Sequence, residues 1–136
     1  MSSLYNKFMK FCDKKGIKYR EMRDEVLLLN WTGDNLNTIG IFIDLEHADD
    51  GKVCFKCYSI GKFKDDMFAK GLLTCNSMNA KYRWVRFYVD KDYDVVVDMD
   101  AIVDDDTGCE ECHELMLRMV NIVDEAYADF MKARFA

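Results

Sequence analysis

The chain contains no proline. Proline kinks, cis-proline turns and proline-rich linkers are therefore excluded. No run of about eighteen apolar residues occurs, so no transmembrane helix is expected. The opening residues, MSSLYNKFMKFCDKKG, lack an apolar signal core and a small-residue cleavage site, which points to a cytoplasmic protein. Positive charge is in short supply: 19 Lys and Arg stand against 25 Asp and Glu, a formal charge of −6. That excess opposes non-specific attraction to phosphates and to anionic lipid, so neither nucleic acid nor a membrane is the expected partner. His47 and His113 are the only histidines, and neither sits in a nucleophile motif. No glycine loop of the phosphate-binding kind is present.

What is there suits one folded domain over residues 1–136. At this length roughly two-thirds of the unfolded surface can be buried. Half the residues are apolar and 13% are aromatic, which excludes a disordered chain. The six cysteines, at 12, 54, 57, 75, 109 and 112, are too scattered for a compact disulfide framework and would stay reduced in the cytoplasm.

Periodicity predicts a helix over Ser3 to Lys15, with Leu4, Phe8 and Phe11 on one side and Gly16 as its stop. Three strands follow, near Glu25 to Thr32, Thr38 to Glu46 and Lys52 to Ile60. Ile39, Ile41, Ile43 and Leu45 share one face of the second; Val53, Phe55 and Cys57 share one face of the third. A second helix is expected over Asp65 to Met78, capped by Asp65, with Phe68, Leu72 and Cys75 as its stripe. Two strands come next, near Tyr82 to Asp90 and Tyr93 to Val103. Pairing Asp90 with Asp94 puts both apolar sets on one face and sets Arg86 opposite Asp98; a slip of one residue would mix them. A long helix from Gly108 to Arg134 closes the chain, with Thr107 and Glu110 at capping-box spacing. The fold class is α+β: an antiparallel sheet of about five strands flanked by helices, in the order α-β-β-β-α-β-β-α.

A helix, a spacer bearing Asn76 and Asn79, two strands and a long amphipathic helix follow one another from Leu72 onward. This order resembles the YbjN-domain proteins, a family similar in fold to the type III secretion chaperones. The resemblance implies a compact α+β domain that binds other polypeptides, often as a homodimer, with a regulatory or chaperone-like role. It brings no enzyme activity, catalytic residue or cofactor with it. The paired cysteines and the run Asp104-Asp105-Asp106 are departures from the family pattern.

Several motifs compete with that reading. Cys109-Glu110-Glu111-Cys112-His113 matches the haem-attachment string, and a helix N-terminus can lower a thiol pKa. Attachment usually needs export, however, and Glu110 and Glu111 oppose the thiolate. The plainer reading is the first turn of a helix with one cysteine facing inward. Cys54 and Cys57 could join this pair around zinc, but residues three apart on a strand point to opposite faces. A metal- or thiol-dependent protein built on Cys109, Cys112 and His113 is thus the alternative function. Asp90, Asp92 and Asp94 imitate the start of a calcium loop, yet Val95 and Ala101 stand where glycine and glutamate belong. Finally, Phe42, Tyr58, Trp84, Arg86 and Tyr88 form a candidate protein-binding sheet face, provided that no helix covers them.

Overall fold

The computed structural model describes residues 1–135. Helix α1 (Ser3–Lys15) begins where the Ser2 hydroxyl accepts the Tyr5 N–H. It ends at Gly16, whose φ of 71° is the left-handed conformation expected of a glycine stop. A short strand that periodicity missed, β1 (Arg20–Glu21), pairs with β2 (Val26–Trp31). Two residues are too few to show an alternation. Then come β3 (Ile39–Asp44), β4 (Lys52–Cys57), α2 (Phe68–Lys81), β5 (Arg86–Val89), β6 (Val95–Ile102) and α3 (Gly108–Phe135). The sheet has six antiparallel strands in the order β1-β2-β3-β4-β6-β5, one more than expected.

One face of this sheet carries the core. Leu27, Leu29, Ile39, Ile41, Ile43, Val53, Phe55, Cys57, Phe87, Val95, Val97 and Met99 are all buried there. Leu4 and Phe8 of α1, Cys75 of α2, and Met116, Val123 and Phe130 of α3 join them in one cluster. The three helices therefore lie on the same side, and the opposite face is left open. The β5–β6 register pairs Arg86 with Asp98 and Val89 with Val95, as the apolar patterning required.

Helix α2 departs from its expected stripe. A 3₁₀ turn, Asp65–Met67, precedes it, and no side chain caps that turn. The buried positions are Gly71, Cys75 and Met78, while Leu72 and Leu73 are exposed. Gly71 turns inward because a Cβ there would come within 3.0 Å of Phe63 and 3.3 Å of Val89. Helix and sheet approach closely at that point, which rotates the helix away from the stripe that hydrophobicity alone suggested. At α3, Thr107 bonds through its hydroxyl to Glu111 (2.6 Å) rather than Glu110, and the Asp104 carboxylate accepts the Asp106 and Thr107 N–H groups.

Candidate functional site

Cross-strand register builds the open sheet face in rows. One row runs Leu28, Phe42, Lys56, Asp98, Arg86 across five strands. Asp98 is its pivot. Arg86 grips it with two hydrogen bonds, Nε to Oδ1 at 2.9 Å and Nη2 to Oδ2 at 2.7 Å. Such a fork-to-carboxylate contact fixes orientation as well as charge. The Asp98 side chain is 9% exposed and that of Arg86 68%, so the carboxylate is sunk and the cation sits on top. Arg86 also lies over the Tyr88 ring, 4.8 Å from its centroid. Lys56 approaches from the other side. Burial works against its charge, but Tyr88, Tyr58, Cys54 and Asp98 outweigh this and raise its pKa.

Around this charged centre lie apolar surfaces. Phe42 and Tyr58 meet edge to face at 6.1 Å. A hollow of about 290 Å³ between Val26, Phe42, Asp44, Cys54, Lys56 and Tyr58 runs into a second of about 550 Å³ towards His47, Asp100 and Ile102. The two share Asp44 and Cys54. The face is thus a shallow, partly apolar trough beside a fixed ion pair.

Four of the five expected residues, Phe42, Tyr58, Arg86 and Tyr88, come together here. Trp84 does not. Its φ of 79° is a left-handed conformation that a bulky residue rarely adopts, and it breaks the alternation just before β5 begins. The indole is 60% exposed at the other side of the sheet, under Arg118 of α3 (5.5 Å). A strand pattern in sequence cannot reveal such a break. The two asparagines expected in a spacer both lie inside α2, which runs on to Lys81, and they point to different surroundings. Asn79 holds the edge of β5, accepting the Phe87 N–H (2.7 Å) and donating to the Phe87 carbonyl (3.0 Å). Asn76 is exposed.

The cysteines do not assemble into the alternative site. Cys57 is buried in the core and Cys54 lies on the open face, as strand geometry demands. Burial pushes the Cys112 thiol up to about 12 and that of Cys12 up to about 11, and it raises Cys109 as well. Cys54 rises to about 12 through burial and its hydrogen bond to Asp100. Raised thiols oppose the thiolate that redox chemistry or metal ligation needs. His113 packs its ring edge-on against Phe11 at 5.6 Å. Among the described residues the one group with metal-ligand spacing is Asp90, Asp92 and Asp94. There Asp90 Oδ1 accepts the Asp92 and Asp94 N–H groups (2.9 and 3.0 Å), so the carboxylate closes its own turn. Lys62 already donates to the Asp92 carbonyl and lies 3.7 Å from Asp94.

No helix among the described residues is long and apolar enough to cross a membrane. No curated protein matches the chain in sequence. The fold is similar to a solved protein described as "YbjN, a putative transcription regulator from E. coli", at 16% identity and a TM-score of 0.68, covering 91% of this chain and 88% of that one. Residues 9–131 match the family model YbjN, described as "Putative bacterial sensory transduction regulator". The chain belongs to the YbjN family.

Proposed function

We propose that this chain is a cytoplasmic, non-enzymatic regulatory domain that works by holding another polypeptide against its open sheet face. The observation that carries the reading is the row Phe42–Lys56–Asp98–Arg86, an apolar trough beside an oriented ion pair on a face that no helix or strand among the described residues covers. Aromatic and arginine side chains of this kind dominate protein interfaces. The family description supports a regulatory role. The similar solved protein is described as "a putative transcription regulator", but an acidic chain of charge −6 is poorly suited to bind DNA itself. Regulation through protein contact fits the surface better.

The same reading includes a homodimer. Leu72 and Leu73 are 46% and 69% exposed on neighbouring positions of α2, with Ala69 and Ala80 on the same side. Burying such a stripe against its own copy removes it from water.

Photo-crosslinking from positions 42 and 58 in living cells tests the partner face. A discrete heterologous adduct, lost on Arg86→Glu, is expected; crosslinks that ignore that substitution would sink the reading. Sedimentation tests the dimer: Leu73→Lys should convert a dimer to a monomer.

A further inference from the structure

We infer that the free edge of β6 at Asp100–Ile102 accepts an added strand from an extended, cationic polypeptide. This row of backbone groups adjoins the open sheet face, on which the Asp100 and Ile102 side chains lie, but it binds through the strand edge and not through that face, and the inference goes beyond the reading above. It begins with backbone alternation. The Val95 N–H donates to Gly61 (2.8 Å) and the Val103 N–H to Gly51 (2.9 Å), both on the β4 side. Odd-numbered residues of β6 thus face β4, and even-numbered ones face β5. The Asp90 N–H donating to Asp94 O agrees. Strand β5 starts at Arg86, opposite Asp98. The N–H and C=O groups of Asp100 and Ile102 therefore point past the end of β5 into open space.

Trp84 creates that opening. Continued pairing would set residue 84 opposite residue 100, but the left-handed φ of Trp84 turns the chain away first. The outer edge of β5 is treated differently, since the Asn79 amide occupies both backbone groups of Phe87. One edge is blocked and the next is left bare. An unpaired edge is a template for a further strand.

The surroundings specify the occupant. A groove of about 590 Å³ runs beside the bare edge, lined among others by Trp84, Ile102, Leu115, Glu110, Glu114 and Arg118. Trp84 is 60% and Ile102 90% exposed, which offers apolar contact. The charge is one-sided. Asp100, Glu110, Glu111 and Glu114 line the groove against Arg118 alone, and Arg118 is already paired with Glu114 at 3.0 Å. Between Lys91 and Arg118 the sequence has no lysine or arginine. A segment alternating basic and apolar residues would place its apolar side chains against Trp84 and Leu115 on the helix side and its cations beside Asp100 on the open side, with Glu110, Glu111 and Glu114 adding to the attraction from the rim.

The test is an NMR titration of the full chain with a short peptide alternating lysine and valine. Two further peptides carry backbone N-methyl groups, one on the lysines and one on the valines. Saturable shifts and slowed hydrogen exchange at the Asp100 and Ile102 amides are expected. One methylated peptide, and not the other, should bind about tenfold or more weakly, because only one set of amides faces β6. Glu110→Gln with Glu114→Gln should weaken the parent peptide. Equal affinity of all three peptides would reduce the effect to charge attraction and overturn the inference. So would unmoved Asp100 and Ile102 amides. Phe42→Ala should leave this binding intact, so failure here and failure of the sheet-face reading are separately visible.

Discussion

Asp124 of α3 ties the β2–β3 turn to the helix layer, and removing it should loosen that turn measurably. Its carboxylate accepts the N–H groups of Asp34 (3.0 Å), Asn35 (2.8 Å) and Leu36 (2.9 Å). In a buried site each bond to a charged acceptor is worth about 1.5–3 kcal/mol. Asp34 and Asn35 are exposed, so water replaces much of what is lost. We take about 0.5–1 kcal/mol per bond and about 2 kcal/mol for Asp124→Ala. Urea unfolding at neutral pH reads this directly. Gly33 supplies a second, sharper signature. A Cβ at Gly33 would collide with the Asp124 carboxylate. Gly33→Ala should therefore cost about 1–3 kcal/mol alone and much less once Asp124→Ala has removed the obstruction. The sign of the pH effect follows from the same contacts. Burial works to raise the Asp124 pKa, but the Leu36, Asn35 and Asp34 N–H groups outweigh it and hold it below the ordinary 3.8. A depressed folded pKa contributes stability above the unfolded value and loses it as pH falls through the folded one. The gap between wild type and Asp124→Ala should thus close below about pH 4. Strict additivity of the two substitutions, or a loss under about 0.5 kcal/mol for Asp124→Ala, would refute the reasoning.

Three further outcomes are expected. Asn79→Ala leaves both backbone groups of Phe87 without their partner and should cost about 1–2 kcal/mol in urea unfolding, softened because Asn79 is exposed. It should also speed hydrogen exchange at the Phe87 amide. Arg86→Ala uncovers a sunken carboxylate and should cost about 1–2 kcal/mol, with Arg86→Lys recovering only part because the two-pronged contact to Asp98 is lost. Alkylation of the native protein at neutral pH should be slow at Cys12, Cys54 and Cys112 and accelerate as pH rises towards their elevated pKa values; fast labelling of Cys112 at neutral pH would contradict its burial.

Much of the architecture was legible in the residues. Period-two alternation located β3, β4 and β6, because every second side chain of a half-buried strand must be apolar. The same logic chose the β5–β6 register and thereby placed Arg86 on Asp98, the most specific contact of the candidate face. Gly16 ended α1 where a left-handed residue was needed. The opposed faces of Cys54 and Cys57 were likewise set by strand geometry.

Local pattern reached its limit where distant segments meet. The side of α2 that turns inward is set by Phe63 and Val89 pressing on Gly71, so the more hydrophobic Leu72 and Leu73 remain outside. Asp124 and the turn it holds are about ninety residues apart, and only folding brings them together. The left-handed Trp84 carries no signature in composition, yet it removes the indole from the open face and leaves the end of β6 bare. Sequence alone determined which side chains alternate, because that is a property of neighbouring backbone geometry. The tertiary structure decided which face stays open, which edge is plugged and which is free, because those depend on how helices and loops compete for the same surfaces.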